Sequence, residues 1–273
     1  MTLRHILVQA DNSAPCSARV RTARAIAERF GATAVGLPCM TTALMQYPYS
    51  VVALGDTLSV LQDVDREAAD RARRTFEEAA AGAGCMAWEH LVGQGPWGFI
   101  RRAFYADLLV LGQPDPDEAL DGRLPPDFVS SVLMESGRPA LVLPYVAGPL
   151  PDIGRTVLVA WKQTAEAARA LAAAWPWLAD AAAVHVVSYG DGAAHSLARV
   201  QALMAAHGVS ATLHDGGLDE AGAGERLLSL AADLGAGLLV MGCYGHSRAR
   251  EWLLGGVTRT LLASATVPLL MAS

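Results

Sequence analysis

The chain reads as an α/β protein built of two similar doubly wound parallel sheets, five strands each, in tandem. Three observations predict this. Short apolar segments alternate with longer alanine-rich or amphipathic runs over the 273 residues, the pattern of strands followed by crossover helices. Segments such as LLVLG (108–112) and LLVMG (238–242) are apolar at every position before their glycine, as strands covered on both faces are. Finally, the chain is written twice: RHILVQAD (4–11) returns as RTVLVAWK (155–162), and SGRPALVLP (136–144) returns as SATVPLLMA (264–272).

In the first half, strands are expected near 3–10, 32–38, 85–92, 107–112 and 140–144, with helices near 15–30, 57–82, 95–105 and 127–137. The second half has strands near 155–161, 182–188, 209–214, 237–242 and 267–271, with helices near 164–175, 194–207, 219–234 and 256–264. Pro176 ends the first of these helices because it lacks an amide donor and clashes with the preceding turn. Its neighbours Trp175 and Trp177 suit either core packing at that terminus or a stacking platform for a base, and packing is the expectation. The proline- and glycine-rich YVAGPLPDIG (145–154) is the linker, giving domains 1–146 and 154–273. An insertion at 38–56, carrying Tyr47, Pro48 and Tyr49, lengthens the first half and suits a lid or an interface patch.

Composition narrows the function. Hydrophobic residues make up 52% and charged residues 18%, which is globular rather than disordered. The net charge of −6, with no long basic run, argues against nucleic acid as a partner. The opening MTLRHILVQADNS turns polar too soon for a signal peptide or a membrane span. Four cysteines (Cys16, Cys39, Cys85, Cys243) without a C-x-x-C pair read as free thiols of a cytoplasmic protein. The histidines show no metal-ligand spacing, so no metal is assigned.

The chemistry concentrates in GCYGHSRAREWLLGG (242–256). It begins at the carboxyl end of the fourth strand of its half, the edge where doubly wound sheets bind ligands. Gly242 ends the strand and Gly245 allows a left-handed turn. Gly255 and Gly256 precede VTRTLL, whose side-chain-free helix start offers amides to an anion. His246, Ser247 and Arg248 add polar or positive groups. Two readings stand side by side here: glycines that only turn the chain, and glycines that let backbone amides approach a phosphate.

These residues resemble the universal stress proteins of the UspA superfamily, an adenine nucleotide α-hydrolase-like fold. The resemblance covers nearly the whole chain. It rests on the duplicated β/α pattern and on G-x-x-G, nine residues, then G-[GST], matched by Gly242, Gly245, Gly255 and Gly256. It implies a stress-response protein that binds ATP, with Mg2+, or a related adenine nucleotide in the second half, in a regulatory role. No catalytic residue is assigned, and slow ATP hydrolysis is the most it would show. By the resemblance the amides of Gly245, Gly255, Gly256 and Val257 face the phosphates, with His246 and Thr258 in the same set. The backbone near Val186 meets the adenine, and Ala160, Trp161 and Lys162 lie on the adenosine side. Lys162 stands where the family usually has aspartate, and Gly256 where it has serine or threonine.

The first half keeps Asp11 at the family's aspartate position. At the loop it keeps Gly112 but continues QPDPDEALDGRLPPDF (113–128), rich in prolines and in Asp115, Asp117, Glu118, Asp121 and Asp127. Prolines remove donors and carboxylates repel phosphate. This half is therefore expected to hold no triphosphate, and Asp11 to cap the following helix. The other readings are a pairing or scaffold module without nucleotide, and an enzyme on adenylated or phosphorylated substrates using Cys243 or His246. The resemblance also implies pairing of the two halves within the chain as a pseudo-dimer, through PALVLP and VPLLMA. A protein partner and a homodimer are compatible with it.

Overall fold

The computed structural model describes residues 2–43, 56–90, 97–115, 124–146, 152–218, 221–244 and 256–273. They pack as two units, Leu3–Ser136 and Gly137–Ser273. Tyr47, Pro48 and Tyr49 of the insertion lie outside the described residues.

The first unit contains β1 (His5–Ala10), α1 (Cys16–Phe30), β2 (Thr33–Pro38), α2 (Asp56–Ala80), β3 (Met86–Trp88), α3 (Gly98–Ala103), β4 (Leu108–Gly112) and α4 (Phe128–Glu135). Its strands stand in the order β3-β2-β1-β4, all parallel. Ile6, Leu7, Val8 and Leu108–Leu111 are essentially inaccessible to water. Each such leucine or isoleucine contributes about 1.5–3 kcal/mol by burial. α1 stops at Gly31, whose φ of 62° lets its amide bond back to the Ala27 carbonyl.

β5 (Ala140–Leu143) follows in sequence, yet it packs with the second unit. There it joins β6 (Thr156–Ala160), α5 (Ala165–Leu178), β7 (Ala183–Ser188), α6 (Ala193–Ala206), β8 (Thr212–Asp215), α7 (Ala223–Asp233), β9 (Leu238–Gly242), α8 (Val257–Ser264) and β10 (Leu269–Ala272). The strand order is β5-β10-β9-β6-β7-β8, parallel except that β5 runs antiparallel to β10. Counted along the sequence, each repeat supplies five strands, as expected. PALVLP and VPLLMA pair as the resemblance implies. Leu141 sits opposite Leu270, its own counterpart in the repeat, so the strand pair is locally two-fold symmetric.

Several element ends shift by a few residues, α7 beginning at Ala223 and β8 at Thr212, and two departures have a clear physical reason. β3 spans Met86–Trp88 rather than 85–92. Among the described residues it is an edge strand whose neighbour is β2, and after Trp88 the pairing ends with Glu89 N–H donating to the Gly36 carbonyl at 3.0 Å. α5 runs through Pro176 to Leu178. Here burial outweighs the local rule: Trp177 and Leu178 are 1% and 2% exposed, and the Ala179 amide still reaches the Trp175 carbonyl at 3.1 Å. Trp177 is core, whereas Trp175 stacks on His207 with ring centres 4.1 Å apart.

Candidate functional site

The two repeats can be superposed residue by residue through their ladders. Ile6 faces Leu108 across β1 and β4, and Val157 faces Leu238 across β6 and β9. Gln9, Asp11 and Arg19 therefore correspond to Ala160, Lys162 and Ala170, and Gly112 corresponds to Gly242. Counted back from the last strands, Asp127 corresponds to Gly256. In each repeat the first strand has its sequence successor on one side and the fourth strand on the other. The carboxyl ends of β1/β4 and of β6/β9 are the switch points at which ligands bind in this architecture.

At the β6/β9 edge, Ala160 pairs with Val187 and Met241, one residue before Gly242. The Trp161 amide extends the β6–β7 ladder by donating to the Val187 carbonyl at 2.8 Å, and its indole Nε1 donates to Ser196 Oγ on α6 at 2.8 Å. Lys162 follows and is exposed. Thr164 caps α5, its hydroxyl accepting from the Ala167 amide at 3.3 Å. Glu166, in that first turn, is held below the usual carboxylate range, chiefly by its backbone hydrogen bond. Val186 is fully buried inside β7, two residues before the strand ends, between Val159 and Leu213. The structure thus gathers Ala160, Trp161, Lys162 and Gly242 at one edge, while Val186 lies deeper.

Gly242 is required by packing. A Cβ there would fall 2.3 Å from the Ala167 nitrogen and 2.5 Å from the Glu166 carbonyl carbon, because the first turn of α5 rests directly on the end of β9. Cys243, next in the chain, is buried and its amide donates to the Ala272 carbonyl at 2.8 Å. Tyr244 takes a left-handed backbone conformation, with φ of 58°. Gly245, His246 and Gly255 lie outside the described residues. The chain returns at Gly256, the extended N-cap of α8 (φ −60°, ψ 159°), which carries no side-chain cap. The Gly256 carbonyl accepts from Arg259 and Thr260 at 2.9 and 3.3 Å. Val257 and Thr258 come before the first of these bonds, so their amides have no acceptor within the helix. Val257 is half-buried and Thr258 is buried.

The β1/β4 edge is built differently. Asp11 does not cap α1, whose N-cap is Pro15 without a side-chain bond. Buried, it pairs with Arg19 Nη2 at 2.6 Å and accepts from Gln9 Nε2 at 2.6 Å and from the Ser13 amide at 3.0 Å. The expectation fails because an ion pair formed away from water outweighs a cap that solvent could replace. Arg19 Nε donates to the Gln9 carbonyl at 2.7 Å, and the Gly112 amide donates to Gln9 Oε1 at 2.9 Å. Arg19 is 2% exposed. Burial opposes its charge, but Asp11, together with Cys16 and Cys39, outweighs it and raises its affinity for the proton. Burial likewise pushes the Cys16 thiol up and the Cys39 thiol well above its ordinary value. Both thiols therefore stay protonated and inert.

Sequence reasoning missed Gln9 and Arg19. The available signal was an arginine on the stripe of α1 that also carries Cys16, Val20, Ala23 and Ile26, all buried.

No family model matches the sequence, and no curated protein is similar to it. Among solved structures, a universal stress protein from Archaeoglobus fulgidus DSM 4304 superposes with a TM-score of 0.73 over 98% of this chain and 96% of its own, at 15% identity. The chain has the tandem universal stress protein fold. A functionally unknown protein of Pseudomonas aeruginosa PAO1 matches at TM-score 0.58 and 20% identity, over 99% of this chain and 92% of its own. The cytoplasmic domain of a prokaryotic cation chloride cotransporter matches at 0.52 and 9%, over 99% and 96%. Among the described residues, no helix is long and apolar enough to cross a membrane.

Proposed function

We propose that this chain is a regulatory protein of the stress-response type that takes one adenine nucleotide per chain, ATP or a close relative. The site is the β6/β9 edge of its second domain (154–273); the first domain (1–146) takes none. The observation that carries this reading is the contrast at the two helix starts. α8 opens on Gly256 with nothing beyond its backbone to meet an anion, whereas α4 opens on Asp127, whose carboxylate repels one. The amides of Val257 and Thr258 suit phosphate oxygens. Lys162 supplies a positive charge on a flexible stem, and the methyl of Ala160 and the bare backbone of Gly256 add no bulk at this edge. Gly245, His246 and Gly255 would complete the phosphate set, with Trp161 and the β7 end near Val186 toward the base. Mg2+ would accompany a bound triphosphate. The burial of Cys243 weighs against thiol chemistry, in keeping with a protein that senses rather than transforms its ligand.

The test is Gly256→Asp, which copies the first repeat. Aspartate is a favoured N-cap, so the ligand-free melting temperature should hold or rise slightly. ATP affinity measured by calorimetry should fall about tenfold or more, roughly 1.4 kcal/mol. Equal affinity in variant and parent would defeat the reading.

A further inference from the structure

We propose that Arg19 is a built-in ligand of the first repeat. Its guanidinium fills the β1/β4 crevice in place of any diffusible molecule, and with Gln9 and Asp11 it determines that only the second repeat has room for a nucleotide. The inference deepens the single-nucleotide reading and depends on it only for the second repeat.

Three observations carry it. First, the groups a ligand would use at this edge are already engaged. The Gly112 amide, at the switch point, donates to Gln9 Oε1 at 2.9 Å, and the Gln9 carbonyl at the end of β1 accepts from Arg19 Nε at 2.7 Å. Second, the guanidinium lies against the floor of the crevice. A Cβ on Gly112 would fall 2.2 Å from Arg19 Nη1, while Nη2 holds Asp11 Oδ2 at 2.6 Å. A charge only 2% exposed persists where an opposite charge is close; here Asp11, held in turn by Ser13 and Gln9, stands at ion-pair distance from Nη2, which is not aligned for a hydrogen bond, while Nε bonds a strand-end carbonyl. Third, the set is absent as a whole from the second repeat. Ala160 replaces Gln9, Ala170 replaces Arg19, and Lys162 reverses the charge of Asp11. At Gly242 the neighbour is the backbone of α5, with no arginine in between. Glycine is thus kept in both repeats for different reasons: for a guanidinium in one and for a helix start in the other.

The test uses the full chain carrying Arg19→Ala. Its melting temperature should fall, and hydrogen exchange at the ends of β1 and β4 should accelerate by about tenfold or more. Millimolar ethylguanidinium, which refills the vacated space, should recover much of the loss in this variant and leave the parent unmoved. Should Arg19→Ala not fold, the neutral pair Asp11→Asn with Arg19→Gln preserves size, and fast exchange at Gly112 is then the expected readout. Ethylguanidinium acting equally on parent and variant, or parent-like exchange in either variant, would overturn the proposal, as would protection of the β1 and β4 ends of the parent by ATP. If ATP protects no segment while ethylguanidinium still rescues the variant, the nucleotide reading fails and the built-in ligand stands.

Discussion

Gly242→Ala separates the two reasons a chain has for placing glycine at the mouth of a nucleotide loop. The added methyl would sit 2.3 Å from the Ala167 nitrogen, 2.5 Å from the Glu166 carbonyl carbon and 2.8 Å from the Glu166 Cβ. Two of these are backbone atoms of the first turn of α5, which Thr164 caps, so no rotamer change relieves the overlap. Either α5 lifts from β9 or β9 shifts against its neighbours. Overpacking of this kind costs about 1–3 kcal/mol, which for a unit of this size lowers the melting temperature by roughly 3–10 °C. Calorimetric melting of the ligand-free protein measures it directly, and the loss should be present before any nucleotide is added. An unchanged ligand-free melting temperature with ATP binding abolished would refute the argument and return Gly242 to phosphate approach. Gly112→Ala is the companion. Its methyl meets Arg19 Nη1 at 2.2 Å, a side-chain end that would ordinarily swing away but is tied to Gln9 and Asp11.

Two further outcomes follow from the same geometry. Trp161→Phe removes the Nε1 bond to Ser196 Oγ, and a hydrogen bond of this type is worth about 0.5–1.5 kcal/mol net; the loss seen by thermal melting should be non-additive with Ser196→Ala, and strict additivity would contradict the contact. His185 on β7 lies 3.0 Å from His214 on β8, and burial, then the His214 charge, hold it below the ordinary imidazole value of 6.5. The folded chain therefore favours the neutral ring. Its contribution to stability is complete above that value and is lost as pH falls through the lowered one. His185→Gln should flatten the fall in melting temperature between about pH 7 and about pH 5, and an unchanged slope would contradict this.

The repeat, the alternation and the both-face apolar strands were legible because each is local: LLVLG and LLVMG state their own burial. The gathering of Ala160, Trp161, Lys162 and Gly242 at one edge was legible too, since in a doubly wound sheet the topology alone brings these strand ends together. What was hidden is long-range. Asp11 read as a cap because its partner Arg19 looks like one more surface arginine until α1 is laid on β1. Gly242 read as a strand end and the first glycine of a phosphate loop because nothing in GCYG names the α5 backbone that rests on it. Pro176 read as a stop because the burial of Trp177 is decided by the rest of its unit.

Nucleotide stoichiometry tests the central claim most directly. Native mass measurement of the intact chain, as purified and after incubation with millimolar ATP and Mg2+, should show one adenine nucleotide per chain and no more. Two per chain would contradict a first repeat closed by Arg19, and none at saturating ATP would contradict a nucleotide site in the second.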